Sequence, residues 1–368
     1  MSAVLSTVTN GGSMTMSPAA SSADRVQRRL GYRWHSHMWM LWLLVVGLSG
    51  AQAQNAVVLV GSGSSVPAPL YTRWTQEYGK HNSHIQMRYL PVGTSEGIKQ
   101  ISHGVGDFGA GEAQLSESER KDGLIEMPVV LIGIVPIYNL PDAHQDLRLS
   151  GEVLAEIFLG DIKYWNAAPI AKLNPEITLP NLPIQVINRP AGKGSNYVFT
   201  DFLSKTSSRF RSQVGVSPSP KWPIGVAAER SADMAEKVKN TIGSIGYVEY
   251  QYATKGGIHQ VAVLNPAGKY VHASAETIAE ACKAVEAPRW NNFSASLTNA
   301  PGADSFPITS FTWIYLRSKA TDSSRAAALG DLLDWVYADG QQFAVQEGYS
   351  ELPSPLLAAV RKKIKDMQ

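Results

Sequence analysis

Sulfur and excess charge are what the chain has least of. Among 368 residues there is one cysteine, Cys282, which excludes an internal disulfide framework and any thiolate-clustered metal site. Thirty-three basic residues stand against 31 acidic ones, so the near-zero balance argues against a protein that coats nucleic acid. No Walker loop, G-x-S-x-G elbow or H-E-x-x-H motif occurs, which removes the common signatures of nucleotide, esterase and zinc-hydrolase chemistry. Gly104-x-Gly106-x-x-Gly109 spells a dinucleotide fingerprint, but helix-like residues precede it and a strand follows, the reverse of the order that mechanism needs. His81, His84, His103, His144, His259 and His272 are scattered, with no metal-ligand spacing. What the chain does have is a hydrophobic content of 44%, enough for packed cores and too much for general disorder.

The N-terminus reads as an address. Arg25, Arg28, Arg29 and Arg33 precede an apolar run from Met38 to Leu48, followed by Gly50, Ala51, Gln52 and Ala53. A basic segment, a short apolar core and an Ala-x-Ala end predict a secretory signal over 1–53, cleaved after Ala53. The run falls short of the roughly 20 apolar residues a membrane anchor requires, and no cysteine near the cut offers a lipid anchor. The expected location is the periplasm.

Beyond residue 53, strands alternate with helices. Ala56–Val60 is a short apolar run that breaks into Gly61-Ser62-Gly63-Ser64-Ser65, and Pro67 and Pro69 open a helix bearing Leu70, Trp74 and Tyr78 at spacing four. Ile85–Leu90 predicts a second strand, which ends in Gly93-Thr94-Ser95 before a helix with Ile98 and Ile101; Asp107–Ala110 predicts a third, with Glu112 beyond its end. In the second half, Ile184–Asn188 is a strand, Arg189–Ser195 a loop and Asn196–Ser204 a helix, with strands at Ile245–Tyr250 and Gln260–Leu264. Helices are expected over Ser323–Tyr349 and Pro353–Met367. The pattern is α/β, with small polar loops at the ends of strands. Two long apolar stretches, Met127–Tyr138 and Phe306–Leu316, carry prolines that argue against helix. Read as strands crossing between two domains, they make domain one 54–131 plus 310–368 and domain two 132–309.

Three loops precede helices and combine glycine with hydroxyls: Ser64-Ser65, Thr94-Ser95 and Gly194-Ser195. A helix N-terminus supplies free N–H groups and a positive dipole end, so it takes oxyanions without mobile cations. Singly, each is an ordinary helix cap. Together with Arg189, whose planar fork matches two oxygens of a tetrahedral anion, they point to anion binding.

At this point the segments GSGSSVPAPLYTRW (61–74), GTSEGIKQI (93–101), DFGAGEAQLS (107–116), FLGDIKYWN (158–166), KWPIG (221–225), IGSIGYVEYQYA (242–253) and FPITSFTWI (306–314) closely resemble the periplasmic phosphate-binding protein of the phosphate-specific ABC transporter. The resemblance covers the chain from residue 54 onward, in order. It implies a two-domain hinged periplasmic-binding-protein fold of type II, with two crossover strands, that closes on dehydrated phosphate. It further implies no catalysis, no cofactor and no bound metal, a monomer, and as partners inorganic phosphate and permease subunits with a cytoplasmic ATPase; no nucleic acid is involved. By motif, Ser65 and Val66 match the first loop's hydroxyl and backbone donors, and Thr94 the second loop's hydroxyl. Glu112 stands where the family usually has Asp, accepting a hydrogen bond from a proton on the phosphate that sulfate lacks. Arg189 matches the anion-pairing arginine, and Lys193, Gly194 and Ser195 the third loop.

The departures shape the expectations. Glu112 keeps the acceptor with one more methylene. Ala191 replaces an acid that pairs with the arginine, and Lys193 replaces a serine, so the cleft is expected to be more positive and to favour the dianion, unless Lys193 turns to solvent and leaves only its backbone N–H as donor. Glu96, where the family often has Gly, offers itself as a partner to one of these cations. The alternatives are a binder of another oxyanion or of a phosphate ester, and an envelope phosphate sensor or scavenger without transport.

Overall fold

The computed structural model of the chain describes residues 56–141, 146–285, 293, 295–319 and 322–367. The expected signal segment, 1–53, and His144 lie outside the described residues.

In chain order the elements are β1 (Val57–Gly63), α1 (Ala68–His81), β2 (Ile85–Pro91), α2 (Thr94–Ser102), β3 (Phe108–Gly111), α3 (Glu117–Lys121) and β4 (Leu124–Tyr138). Then follow β5 (Arg148–Leu149), α4 (Gly151–Leu159), α5 (Ala168–Leu173), β6 (Gln185–Asn188), α6 (Gly194–Thr206), α7 (Ser208–Gln213), β7 (Val226–Ala227), α8 (Ser231–Asn240), β8 (Ser244–Glu249) and α9 (Tyr250–Gly256). The chain finishes with β9 (His259–Gln260), β10 (Ala262–Leu264), β11 (Tyr270–Val271), α10 (Ala275–Lys283), β12 (Thr309–Arg317), α11 (Ser323–Ala338), α12 (Gln341–Gln346) and α13 (Ser354–Lys365). No described helix is long and apolar enough to cross a membrane.

Local chemistry explains the helix starts. The α1 helix opens on Pro67, with Pro69 in its first turn where N–H groups have no intrahelical acceptor, and it buries Leu70, Tyr71, Trp74 and Tyr78 on one face. Ser150 caps α4 by accepting from Val153 N–H at 3.2 Å, and Gly160 ends that helix in the left-handed conformation. Asp322 caps α11 through the N–H groups of Ser324 and Arg325.

The main sheet runs β2-β1-β3-β12-β4-β8-β6-β7, with β9 paired to β4, and a small second sheet runs β11-β10-β5. The apolar run at 127–138 lies within one continuous strand, β4, of 15 residues, almost wholly buried. The first part of β4 pairs antiparallel with β12, and its last part, Ile134–Tyr138, pairs antiparallel with β8. β4 thus joins the two flanks of the sheet. Pro128, which has no N–H for the ladder, sits at a register shift between Thr312 and Trp313 of β12.

Two expected elements divide. The stretch 260–264 is split because Val261 N–H turns to Pro136 O at 2.9 Å, which leaves β9 on the main sheet and sends β10 to the second sheet. The stretch 323–349 breaks after Ala338: Gly340 packs so closely on Val336 that a Cβ there would lie 2.7 Å from the Val336 backbone, and α12 starts in a new direction.

Gly97 sets how close α2 approaches the sheet. A Cβ at Gly97 would lie 2.5 Å from Gly63 Cα and 2.8 Å from Ser62 O, both backbone atoms at the C-terminal end of β1. Gly97→Ala is expected to cost about 1–3 kcal/mol through this overlap, read as a lower urea midpoint; an unchanged midpoint would show that the contact relaxes freely.

Candidate functional site

The C-terminal ends of β1, β3, β6 and β8 converge on the starts of α2 and α6. In the first loop, Ser64 N–H donates to Ala110 O at 2.9 Å and Val66 N–H donates to Ser64 Oγ at 3.1 Å. Tyr89 and Tyr349 hydroxyls donate to the carbonyls of Ser64 and Val66, each at 2.7 Å. Ser65 is half-buried there, and Ser64 is buried with its hydroxyl toward Glu112.

Glu112 follows β3 directly and is wholly buried. Thr94, at the first turn of α2, donates from Oγ1 to Glu112 Oε2 at 3.0 Å, while Oε1 has no protein partner. Burial pushes the Glu112 carboxyl up to about 8, with the charge of Glu249 adding to the rise; the Ser64 and Thr94 hydroxyls and the Arg189 charge pull it back.

The third loop closes on this carboxyl. A Cβ at Gly194 would lie 1.6 Å from Glu112 Oε2 and 2.6 Å from Thr94 Oγ1, so only glycine lets the N-terminus of α6 meet Glu112. Ser95 N–H reaches Gly192 O at 3.4 Å across the same gap. Arg189 is buried. Its Nη1 donates to Ser231 Oγ and its Nη2 to Glu229 O, both at 2.9 Å, while Nε has no partner. Its backbone N–H donates to the Tyr247 hydroxyl, which in turn donates to Asn196 Oδ1 at 2.5 Å. Ser195 is buried, and its hydroxyl is also without a partner.

Thr94, Glu112, Arg189, Gly194 and Ser195 therefore come together as the sequence suggests. Val66 and Lys193 are placed differently as donors. The Val66 amide is turned to Ser64 Oγ, and the Lys193 amide donates to Pro218 O at 3.1 Å. The Lys193 amine pairs with Glu229 at 3.3 Å, on the rim. The Lys193 charge, expected to make the cleft more positive, is met by this pairing, and Glu249, which the sequence reading passed over, is buried. Glu96 pairs with Lys99 of its own helix at 3.8 Å and accepts from Gln100 at 3.1 Å; it pairs with neither Arg189 nor Lys193. Ala191 is exposed. Ser231, Tyr247 and Glu249 also went unread as site residues. The signal for the last two was present: in GYVEY, period-two alternation puts Tyr247 and Glu249 on one face of β8. No group of His, Cys, Asp and Glu among the described residues is arranged to hold a metal.

The arrangement offers free donors at Arg189 Nε and Ser195 Oγ beside the first amides of α6, and a free acceptor at Glu112 Oε1. Such a set grips an oxyanion that carries a hydrogen.

The chain is similar to known proteins. Residues 50–340 match the family model of the PBP superfamily domain. A protein of Haemophilus influenzae named phosphate-binding protein PstS is 34% identical over 327 residues, covering 88% of this chain and 97% of its own. A protein of the same name from Methanocaldococcus jannaschii is 30% identical, covering 83% of this chain and 85% of its own. Among solved structures, the phosphate binding protein of Stenotrophomonas maltophilia superposes with a TM-score of 0.61 at 17% identity, over 83% of this chain and 94% of that one.

The buried Glu112 carboxyl ties stability to pH. Its value in the fold lies above the ordinary 4.5, so its contribution is complete below 4.5 and is lost as pH rises toward about 8. The melting temperature of the ligand-free protein is expected to fall across that window, and Glu112→Gln to flatten the fall; equal slopes in both proteins would refute the assignment.

Proposed function

We propose that this chain, which belongs to the PBP superfamily and within it to the PstS phosphate-binding proteins, captures inorganic phosphate in the periplasm and delivers it to an ABC transporter. Its fold is the type II periplasmic-binding-protein fold. The protein acts as a receptor and performs no chemistry on its ligand. The single observation that carries the reading is that Arg189 Nε, Ser195 Oγ and Glu112 Oε1 are all buried without a partner, where Gly194 at the start of α6 meets Glu112.

On this reading the ligands are the hydroxyls of Ser65, Thr94 and Ser195, the Gly194 amide and the Arg189 guanidinium, with Glu112 accepting a hydrogen from phosphate. Val66 and Lys193 shape the first and third loops. The domains are 54–131 with 310–368, and 132–309, hinged where β4 and the segment entering β12 run side by side. One domain binds the anion first, and closure excludes water, so that fixed dipoles act in a low-dielectric cavity. The leader at 1–53 exports the chain, and the closed rim meets the permease, which works with a cytoplasmic ATPase. The receptor functions as a monomer.

Selectivity follows from one proton. When the cavity closes on phosphate, the hydrogen between ligand and Glu112 arrives with the ligand. Sulfate brings none, and so offers no hydrogen to Glu112 Oε1.

Two measurements test the reading. Arg189→Ala is expected to weaken phosphate binding roughly a hundredfold or more, since hydrogen bonds to charged groups contribute about 1.5–3 kcal/mol each; near-normal affinity in calorimetry would refute its role. In a panel of phosphate, arsenate, sulfate and a phosphomonoester, the wild type is expected to prefer phosphate strongly over sulfate, and Glu112→Gln to weaken phosphate while admitting sulfate. Indifference of the wild type to millimolar orthophosphate would overturn the function itself.

A further inference from the structure

Ser65, a proposed ligand, lies between two carbonyls that tyrosine hydroxyls hold. Tyr89 donates to Ser64 O and Tyr349 to Val66 O, each at 2.7 Å. The two anchors differ in what stands behind them. Tyr89 belongs to β2, which pairs directly with β1, the strand that carries the loop. Tyr349 is buried on the short segment 347–352 between α12 and α13.

That segment is fastened to α9 and α10 as well as to β4. Gly348, at φ +88°, lies so close to α9 that a Cβ there would be 2.7 Å from Gln251 Cβ. Ser350 pairs with Leu131 in the middle of β4: its N–H donates to Leu131 O at 3.1 Å, and its carbonyl accepts from Leu131 N–H at 2.8 Å. Ser350 Oγ donates to Ala275 O, at the start of α10, at 2.9 Å. At the far end, Leu352 N–H donates to Gln341 Oε1 at 3.2 Å, and Gln341 Nε2 donates to Val129 O of β4 at 3.1 Å. Tyr349, Ser350 and Gln341 are buried, where water does not readily replace a lost partner. The exposed Lys255–Glu347 pair, at 3.4 Å, adds little to these ties.

We propose that Tyr349 is a positioning residue of the first anion loop, and that 347–352 is a strap which carries the placement of α9 and α10 to the Val66 carbonyl and so to Ser65. The inference rests on the reading of the cleft as a hinged phosphate site. On that reading α9 and α10 lie in one domain and the first loop in the other, joined covalently by β4 and the segment entering β12. The strap is a further link, made of hydrogen bonds and close packing. A hinge motion that shifts α10 displaces Ser350, and with it Tyr349 one residue away. Tyr89 holds the neighbouring carbonyl from within the sheet, which makes it an internal control on the same loop. Coupling of this kind is a measurable free energy between residues.

The test is a double-mutant cycle on orthophosphate affinity, measured by calorimetry. Ser350→Ala removes the tie to Ala275 and is expected to weaken phosphate binding about fivefold, and Tyr349→Phe about tenfold. Ser350→Ala is expected to cost nothing further in a Tyr349→Phe background, yet its full factor in a Tyr89→Phe background. A merely structural role would multiply the losses in both backgrounds. Wild-type affinity in Ser350→Ala, or the same loss in both backgrounds, overturns the strap and leaves the phosphate reading intact. A wild type indifferent to millimolar orthophosphate overturns that reading, and the strap's role falls with it. Should Tyr349→Phe fail to fold, amide hydrogen exchange of ligand-free Ser350→Ala decides. Faster exchange over 62–66 than in the wild type supports the strap, and unchanged exchange overturns it.

Discussion

A carboxyl group held wholly out of water, Glu112, sets the terms for the rest of the molecule. Its placement requires Thr94 to donate to one oxygen, Gly194 to lack a side chain, and the start of α6 to come within contact of the end of β3. Each requirement falls on a different element. Moving any one of them exposes the carboxyl or leaves it without donors. Because burial raises the cost of the ionised form, the group is held above its ordinary value.

The surrounding scaffold is built to keep that geometry still. Arg189 is restrained at three points: Nη1 on Ser231, Nη2 on Glu229 O, and its backbone N–H on Tyr247. Asn196 ties the loop down by donating to Pro190 O at 2.7 Å and Pro218 O at 3.1 Å. The aromatic pile of Phe199 on Tyr247, with centroids 4.2 Å apart, and Phe158 edge-on to Phe199 supports the same loop from below. Donors fixed in this way need no reorganisation when an anion arrives, which is where preorganised sites gain over water.

Much of this was legible from residue order because it is local. Proline at 67 and 69 with apolar spacing of four marks α1, and glycine–hydroxyl clusters after apolar runs mark the loops that carry Thr94, Gly194 and Ser195. The long run at 127–138 announces an unusual strand through its length and its prolines. What escaped depends on contacts distant in sequence. The split between β9 and β10 is decided by Val261 reaching Pro136, which no window around residue 260 contains. The partner of Lys193 is Glu229, and Ser231 becomes a ligand of Arg189 only through folding. Glu249 sits in a motif with a visible alternation, yet its burial without a partner is a property of the fold and of no single segment.

These misreadings share a physical lesson about how the cleft discriminates. Counting charges along the loop at 189–195 suggests a positive site that would draw any anion. The folded arrangement removes that surplus: the Lys193 amine lies on Glu229, Glu96 lies on Lys99, and Glu112 is buried. A site so nearly balanced gains little from charge attraction alone and cannot be steered by the near-neutral field of the whole chain. Recognition must then reside in matching each acceptor to a hydrogen and each donor to a bare oxygen, where an unmatched buried group is penalised more than a matched one is rewarded. Sulfate and phosphate have nearly the same shape and differ in this respect. On the proposed reading, a site with little net charge and the Glu112 carboxyl inward separates them by hydrogen count, which a merely basic pocket would not.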